Sequence, residues 1–311
     1  MNSKSPFFSI VVPTYNRANF ILKTLNTVFA QTFQDFEVIV VDDCSTDNTK
    51  ELLQPLIAQH KIKFIEHDQN YERGKTRNTG MRHAQGLYIT FLDSDDYMYP
   101  DNLKDAYEYA CLHPEKKIFH NLYELVNEKG EKIYDFQFKP LRNPLKQISE
   151  GNFLSCHGVF LHRDIYTTIF WDESRLLSGS EDYEYWLRVI AHYPDVGRIN
   201  KINTGVVEHA HRSVNTAQLA QGERRFEYFC NKIDNDPVYQ KYYKGYQNKI
   251  KSTCYIFLAL MAFNAGDMQK MKYYKQKALI LDKSLLFRRN YLFLTYHQLR
   301  HLFGLKKKKA N

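Results

Sequence analysis

The first hundred residues alternate between short apolar runs and polar segments with helical periodicity. The apolar runs are FFSIVV (7–12), FEVIVV (36–41), KFIE (63–66) and LYITFL (87–92). Between them, the spacing of apolar residues predicts helices over about residues 48–59 and 74–84. Strands that are apolar on both faces are typical of a sheet buried between helices. The pattern therefore predicts an open, mostly parallel α/β sheet with helices on both faces.

Acidic residues follow two of these strands at the point where each ends. Asp42 and Asp43 come directly after FEVIVV, and Asp93 and Asp95 come directly after LYITFL. Because ligands of open α/β sheets bind at the carboxyl ends of the strands, we expect these four side chains to line one crevice. Neighbouring carboxylates raise one another's pKa, so a positive partner is expected there, unless the loop is simply a solvated turn.

The first strand runs into VVPTYNR (11–17), which contains no glycine. A glycine-rich loop that would hold phosphates at a helix N-terminus is therefore missing from this position. A bound diphosphate would need another positive partner. FLDSDD (91–96) suggests a Mg²⁺ or Mn²⁺ ion held by carboxylates and by the phosphate oxygens of the substrate. A polar turn before a helix near Pro100 is the alternative explanation of this motif.

The rest of the chain divides into a mixed segment and a helical one. KIFHNLYELV, FLSCHGVFLH and GRINKINTGVVEH predict strands between about residues 115 and 210, with a helix near 182–192. From about residue 217 the pattern is helical, with a hairpin around Gly266. We expect one domain over 1–215, divided near residue 100 into two halves, and a helical region over 216–311.

Composition indicates a globular chain in a reducing compartment. The 311 residues are 43% hydrophobic and 25% charged, and the five cysteines are scattered without CxxC spacing. Scattered cysteines argue against both a disulfide framework and a zinc site. The N-terminus has no signal-peptide pattern, and the longest apolar run, residues 254–263, is too short to span a bilayer. A cytoplasmic protein is expected.

The positive charge is concentrated at the end of the chain. The net charge is +8, yet residues 270–311 contain 12 Lys or Arg residues and one acid. One helical stripe in residues 285–309 consists of apolar side chains flanked by basic ones: Leu285, Leu292, Tyr296, Leu299 and Phe303. The pattern predicts an interfacial helix on an anionic membrane rather than a nucleic-acid contact. The alternative is an amphipathic helix docked on its own domain.

Five ordered segments of the chain resemble the motifs of family 2 glycosyltransferases. They are VVPTYNR, VVDDCSTDNT (40–49), NYERGKTRNTG (70–80), FLDSDD and GSEDYEYWLRV (179–189). The resemblance covers about residues 7–212. It implies the GT-A fold and a nucleotide-sugar substrate. Residues 1–215 would then be the catalytic domain, with a nucleotide-sugar half over about 1–100 and an acceptor half over about 101–215.

The resemblance also implies a nucleotide site and a metal site. The residues implied at the nucleotide are Pro13, Thr14, Tyr15, Asn16, Arg17, Asp42, Asp43, Arg77, Asn78, Asp93 and Ser94. Among these, Asp43 would accept a hydrogen bond from the uracil imide, supported by Asp42. Asp95 and Asp93 would bind the metal, and His209, or else His211, would complete the site. The alternative for Asp42 and Asp43 is a turn in which the two acids cap a helix. The alternative for Arg77 and Asn78 is that they form a structural surface of their helix.

GSEDYEYWLRV carries the implied catalytic residue. In the resembling enzymes the Asp of the Glu-Asp pair is the general base, which is Asp182 here. We expect the helix N-terminus to keep this carboxylate ionised. Ser178 and Glu181 have the spacing of a capping box, which would explain Glu181 structurally. Trp186, one turn later, is either an acceptor-sugar platform or part of the core.

Together these features predict an inverting, metal-dependent glycosyltransferase. It would move a sugar from a UDP-sugar to a hydroxyl of a glycan or lipid-linked acceptor during bacterial surface polysaccharide synthesis, at the inner face of the cytoplasmic membrane. A nucleotidyltransferase is the first alternative, but its usual glycine-rich loop is absent. A non-catalytic scaffold is the second, but Asp43, Asp95 and Asp182 are all present.

Overall fold

The computed structural model describes residues 5–134, 136–209 and 218–302. The chain forms two compact units. The first comprises Met1–Leu145 with Asn152–Asn215, and the second comprises Lys146–Gly151 with Thr216–Asn311. No disulfide joins the five cysteines, all of which lie in the described ranges.

The first unit contains a single mixed sheet. Its strands are β1 Phe8–Thr14, β2 Phe36–Asp42, β3 Lys63–Glu66, β4 Tyr88–Phe91, β5 Tyr97–Met98, β6 Ile118–Asn127, β7 Lys132–Tyr134, β8 Val159–His162 and β9 Val196–Glu208. They are ordered β3-β2-β1-β4-β8-β6-β9-β5, with β7 paired to β6. β1 to β4 are parallel, as predicted. Beyond β4 the sheet becomes mixed, because β8 is antiparallel to both β4 and β6.

Helices cover both faces of this sheet. Those that begin in the first unit are α1 Ile21–Phe29, α2 Thr49–Ala58, α3 Glu72–His83, α4 Asn102–Leu112, α5 Pro144–Ser149, α6 Arg163–Tyr166 and α7 Glu181–His192. On one face, Ile10 of β1 packs in a core with Leu25 of α1 and Leu103 of α4. On the other face, Val11 lies against Gly80 of α3, where any Cβ atom would collide with the valine side chain. The expected two-sided α/β arrangement is therefore present.

The predicted strand FLSCHGVFLH is much shorter than its apolar pattern suggests. Only Val159–His162 forms β8, and the preceding residues 153–156 are irregular. His157 makes only an isolated bridge to Phe91. This loop brings Ser155 and His157 close to the strand ends that carry the acidic residues.

The second unit is helical. Its elements are α8 Leu219–Asn235, α9 Pro237–Tyr242, α10 Gln247–Asn264, α11 Met268–Leu281 and α12 Arg289–Leu302. α10 and α11 form the predicted hairpin, and Gly266 between them has a φ of 78°, which favours glycine. No helix among the described residues is both long and apolar enough to cross a bilayer.

The final helix differs from its prediction in one respect. Leu285, in the short 3-10 turn before α12, is buried in the core of the second unit with Tyr291 and Leu294. Leu292 and Tyr296, by contrast, are 52% and 55% exposed. Leu299 is exposed as well, and Phe303 lies outside the described residues. The predicted stripe is therefore an exposed face of a docked helix, and Leu285 does not belong to it.

Candidate active site

The ends of β1 and β2 lie side by side, as expected for a ligand crevice. Thr14 and Asp42 are paired in the parallel register, and the Asp43 N–H donates to the Thr14 carbonyl at 2.9 Å. Pro13 lies within β1, while Tyr15 just beyond it is 43% exposed. The tyrosine ring is thus available to a ligand at this edge of the sheet.

Asn16 and Arg17 tie the loop after β1 to its surroundings. Asn16 has a φ of 52°, and its side-chain Oδ1 accepts a hydrogen bond from the Thr46 N–H at 2.8 Å. Asparagine tolerates this left-handed conformation better than most residues. The Arg17 guanidinium reaches Asp95, with Nε 3.2 Å from Oδ2. A positive partner for the acidic loop is therefore present within the protein itself.

Asp43 caps a helix distant in sequence. Its Oδ1 and Oδ2 accept hydrogen bonds from the N–H groups of Tyr71 and Glu72, both at 2.8 Å. His67 Nδ1 lies 2.8 Å from Oδ1. The capping alternative therefore applies to Asp43, although on α3 and not on the helix that follows it. A carboxylate has about four lone-pair sites, so one is left over for a ligand.

Asp42, the residue before Asp43, is almost completely buried. Its side chain accepts the Ser45 N–H at 3.1 Å. Burial raises the pKa of Asp42, and the hydrogen bonds from Ser45 oppose that shift. A buried acid held by its own loop suits the supporting role expected for Asp42.

Arg77 is a fully buried cation between two acids. Its Nη2 lies 3.0 Å from Asp93 Oδ1, and its Nη1 lies 3.1 Å from Glu181 Oε1. The guanidinium also lies over the Trp171 ring, 4.7 Å from the centroid. Burial raises the pKa of Asp93, but Arg77, assisted by His157 and Arg73, outweighs it and lowers the value to about 2.

The side-chain amide of Asn78 is hydrogen-bonded to other residues of the protein. Its Nδ2 donates to the Trp171 carbonyl and to Glu173 Oε1, both at 2.9 Å, and its Oδ1 accepts the Trp171 N–H at 2.8 Å. A contact in which this amide donates to a nucleotide would break one of these hydrogen bonds, and the side chain is buried. The structural alternative from the sequence therefore describes Asn78 best.

Asp95 and His209 lie together, as the sequence predicts. The Asp95 Oδ2 is 3.0 Å from His209 Nε2. Adjacent ligands of an octahedral ion with bonds of about 2.1 Å are separated by about 3.0 Å. This donor pair therefore fits a small divalent cation, provided that Arg17 releases the same carboxylate oxygen. His211 lies outside the described residues.

A second group of possible metal ligands includes two residues that sequence reasoning did not select. Asp93, Asp96 and His157 offer ligand atoms within 4.8 Å of one another. His157 Nδ1 is 3.2 Å from Asp96 Oδ2, while Asp96 Oδ1 accepts the Val207 N–H at 2.8 Å. Ser94 between the acids is buried. The available signal was a histidine inside the apolar run FLSCHGVFLH, which suggests a polar partner.

The expected capping box at α7 is wrong. The helix begins at Glu181, so Ser180 occupies the N-cap position. Ser178 lies too far upstream, and its hydroxyl donates instead to Glu72 at 3.0 Å. Glu181 accepts the Gly179 N–H at 2.6 Å and pairs with Arg77. Glu181 thus joins the start of α7 to the buried arginine.

Asp182 combines two opposing electrostatic influences. Burial and the neighbouring Glu181 raise its pKa to about 6, against the Tyr183 N–H and Arg77, which lower it. The helix N-terminus therefore does not hold this pKa down as expected. Oδ2 accepts a hydrogen bond from the Asn152 amide at 3.0 Å. The carboxyl group lines a cavity of about 270 Å³.

Trp186 belongs to the core. Its side chain is 0% exposed, and its ring centroid lies 5.0 Å from that of Tyr185 and 5.5 Å from that of Trp171. The acceptor-platform alternative is therefore wrong for Trp186. An aromatic ring must be reachable before a sugar can pack on it.

Comparison with known proteins agrees with this architecture. Residues 9–170 match the family model described as glycosyl transferase family 2. The chain resembles the Staphylococcus aureus poly(ribitol-phosphate) β-N-acetylglucosaminyltransferase TarS, with 39% identity over 109 residues, covering 34% of this chain and 19% of that protein. It also resembles the putative teichuronic acid biosynthesis glycosyltransferase TuaG of Bacillus subtilis, with 29% identity over 165 residues, covering 53% and 65%.

Solved structures share the fold at low sequence identity. The crystal structure of S. aureus TarS residues 1–349 with UDP-GlcNAc has a TM-score of 0.59 and 19% identity, covering 97% of this chain and 93% of that one. The Pyrobaculum calidifontis mannosyltransferase PcManGT with GDP-Man and Mn²⁺ has a TM-score of 0.56 and 14% identity, covering 98% and 89%. The expected GT-A fold is thus confirmed.

The relatives themselves are often longer proteins. The chain spans 20% of the length of an uncharacterized glycosyltransferase from Rickettsia felis, to which it is 36% identical over 126 residues. The family model, however, extends from β1 to the loop after α6, and so includes both acidic strand ends and Arg77. Because that match covers about half of the chain and the sheet has the expected fold, the chain belongs to glycosyl transferase family 2.

Proposed function

We propose that the first unit transfers a sugar from a UDP-sugar to an acceptor hydroxyl with inversion at the anomeric carbon. One observation carries this proposal. The buried guanidinium of Arg77 pairs with Asp93 at 3.0 Å and with Glu181 at 3.1 Å, and Glu181 directly precedes Asp182. One cation therefore joins the acidic loop expected to meet the donor to the helix that presents the expected base.

The proposed base has suitable acid–base properties. A pKa of about 6 for Asp182 lies above the ordinary aspartate value near 3.9. The group is then mostly ionised at neutral pH, yet binds a proton more strongly than an exposed aspartate. It would take the proton from the acceptor hydroxyl as that oxygen attacks the face opposite the departing UDP.

The donor site would lie over residues 1–100 and use the edge of β1, β2 and β4. Tyr15 is exposed there, and Asp43 retains a lone-pair site for the uracil imide. Asp95 and His209 would hold a Mn²⁺ or Mg²⁺ ion, which when bound offsets the negative charge of the diphosphate. Asp93, predicted as a further ligand, lies instead with Asp96 and His157. UDP is proposed as the nucleotide because TarS has been crystallised with UDP-GlcNAc.

The acceptor would bind over residues 101–215 and belong to a surface polysaccharide, free or lipid-linked. Support comes from the names of two relatives, a poly(ribitol-phosphate) transferase and a putative teichuronic acid enzyme. The exposed Leu292, Tyr296 and Leu299 of α12, close to a basic chain end, suit attachment to an anionic membrane surface. The protein would then act at the cytoplasmic face.

Calorimetric titration with UDP tests the donor site. Wild-type protein should bind UDP in the presence of Mn²⁺ and much more weakly with EDTA. Asp95→Asn should lower the Mn²⁺-dependent affinity by roughly tenfold or more, because one charged oxygen ligand is lost. Asp101→Asn, an exposed acid after the same loop, is the matched control and should bind like wild type. Equal UDP affinity with and without metal would contradict the proposal.

A further inference from the structure

The cavity beside Asp182 has two chemically different walls. Its volume is about 270 Å³, close to the lower end of the range of small-ligand pockets, roughly 300–1,000 Å³, which gives room for one sugar ring. The apolar lining side chains are Tyr123, Leu125, Phe136, Leu154 and Val206. The polar ones are Asn152, Ser155, His157 and Asp182.

The apolar wall contains an aromatic pair that further rings support. Tyr123 of β6 lies 4.9 Å from Phe136 between ring centroids and 5.4 Å from Phe138. The edge of His157 meets Tyr123 at 5.8 Å. Tyr123 and Phe136 are half-buried, so part of each ring remains available. A pyranose ring that carries several C–H bonds on one face can bury that face against such rings.

The polar wall offers groups that match sugar hydroxyls. The Ser155 hydroxyl lies 2.6 Å from His157 Nε2, and the Asn152 amide donates to Asp182. Hydroxyl, imidazole and amide groups both donate and accept hydrogen bonds, as sugar hydroxyls do. A ring seated on the aromatic pair would therefore direct its hydroxyls to this wall, where Asp182 can accept a proton.

The charge of the described lining favours a neutral acceptor group over an anionic one. Among the nine described residues that line the cavity, none is a lysine or arginine, and Asp182 is an acid. A phosphate in this space would face a like charge and leave its hydration without a positive partner. A neutral sugar meets neither obstacle.

We propose that this cavity is the acceptor subsite for one neutral pyranose ring, seated with its C–H face on Tyr123 and Phe136 and its hydroxyls toward Ser155, His157 and Asp182. This inference rests on the proposed function and specifies its substrate class. It makes Phe136 a specificity-determining residue and predicts that a neutral ring binds beside the base in preference to a polyol phosphate.

Saturation-transfer NMR on the full chain tests this assignment. The probes are methyl β-D-glucopyranoside, methyl β-D-galactopyranoside and ribitol 5-phosphate, each with and without UDP and Mn²⁺. The glucoside presents H1, H3 and H5 on one face, so these protons should receive the strongest saturation. Ribitol 5-phosphate should receive none above background.

Two variants locate the contact. Phe136→Ala should weaken pyranoside binding by roughly tenfold, since it removes one wall of the subsite. Phe170→Ala is the matched control, a half-buried phenylalanine of the first unit that does not line the cavity and packs against Arg82 instead. It should bind the pyranosides like wild type. UDP affinity should be the same in both variants and in wild type, because neither residue belongs to the proposed donor site.

The outcomes separate the two claims. If UDP binds but pyranosides receive no saturation, or ribitol 5-phosphate binds instead, the subsite assignment is wrong while the proposed function stands. Equal pyranoside affinity in wild type and Phe136→Ala would also overturn it. If wild type does not bind UDP at all, the proposed function fails, and the pyranoside spectra still test the cavity independently.

Discussion

Asp182 shows how one side chain can be tuned by its immediate neighbours. Burial and Glu181 favour its protonated form, while the Tyr183 N–H and Arg77 favour its ionised form. The resulting pKa of about 6 has consequences for both catalysis and stability. These consequences have opposite signs, so a single substitution can separate them.

Asp182→Asn should lose activity and gain stability. Without a base, kcat should fall by about 10²- to 10⁴-fold, while UDP affinity stays unchanged. The folded-state pKa lies above the unfolded value, so the native protein loses stability as pH rises from about 4 to 6. Asparagine removes that penalty. The melting temperature of the variant should therefore exceed that of wild type at pH 7.5 but not at pH 4.5.

If the melting temperature of Asp182→Asn equals that of wild type at pH 7.5, ionisation of Asp182 does not destabilise the folded state. Near-normal transfer by the variant would mean that another residue is the base. Glu181→Gln would then be the next variant to measure, although its pairing with Arg77 makes Glu181 a structural residue as well.

Arg77 should influence the pH dependence of sugar transfer, because it lies between two acids. Transfer by wild type should decline below about pH 6, as Asp182 takes up a proton. In Arg77→Lys, a single ammonium cannot pair with Asp93 and Glu181 in the same forked geometry. Asp182 then loses a group that lowers its pKa, so the acidic limb of kcat should move to higher pH.

Arg82→Lys provides the control for this measurement. Arg82 lies on the same helix, but its side chain is 52% exposed and pairs with Glu173 at the surface. Arg82→Lys should leave the acidic limb of the pH dependence of kcat at the wild-type pH. If Arg77→Lys lowers the melting temperature but does not shift the acidic limb of kcat to higher pH, Arg77 has only a structural role.

Sequence predicted some residue contacts and missed others for a definable reason. Asp95 and His209 were expected to meet because a recognised motif order implied it, and they lie 3.0 Å apart. His157 and Asp96 meet across about 60 positions of chain, and nothing in their local spacing indicates it. The capping box failed because α7 begins at Glu181, which leaves Ser178 too far upstream.

At the level of elements, α12 presents two faces with different partners. Tyr291 and Leu294 are buried in the second unit, whereas Leu292, Tyr296 and Leu299 face solvent. A helix that docks with one face and exposes aromatic and leucine side chains on the other still has apolar surface to bury. The docked interpretation therefore holds for one face of α12, and membrane contact stays a prediction for the other.

The exposed face of α12 should bind anionic membranes. Wild-type protein should co-sediment with liposomes rich in phosphatidylserine at low salt and dissociate at high salt, since ions screen the attraction of the basic chain end. Neutral liposomes should retain it poorly. The triple variant Leu292→Ser, Tyr296→Ser, Leu299→Ser should lose most of this binding, because its apolar contact is removed.

The matched control is the double variant Tyr107→Ser, Leu112→Ser on α4. Both side chains are exposed apolar residues of the first unit, so general surface hydrophobicity is altered without changing α12. Equal co-sedimentation of the triple variant and the control would contradict the membrane role of this helix.

The sequence predicted well those strands and helices whose order follows from the pattern of neighbouring segments along the chain. β1 to β4 alternate with helices along the chain, so their parallel order follows from the pattern. The mixed half depends on β8 inserting between β4 and β6. That arrangement joins strands about 70 residues apart, and strand propensity alone does not encode it.

On the scale of the whole molecule, the two compact units have separate cores. Leu294 is fully buried in the core of the second unit. Leu294→Ala should destabilise that unit by about 2–5 kcal/mol, the usual cost of such a cavity. UDP affinity, which we assign to the first unit, should not change. Thermal unfolding monitored with and without UDP and Mn²⁺ measures both effects.

Leu292→Ala, on the exposed face of the same helix, is the control and should unfold like wild type. A tenfold loss of UDP affinity in Leu294→Ala would contradict the separation of roles. We expect deletion of the residues after Lys283 to destabilise the second unit, because it would remove part of the same core. Leu285, Tyr291 and Leu294 all belong to it.

The capping of α3 by Asp43 has a further consequence for donor length. α3 begins at Glu72, where Asp43 is anchored, and carries Arg77 five residues later. At about 1.5 Å of rise per residue, the helix separates these two points by about 7.5 Å. A helix resists stretching, so α3 fixes the distance between its start at Asp43 and the Arg77–Asp93 pair. In the donor site proposed above, we expect this fixed distance to select donors by the spacing of their base and diphosphate.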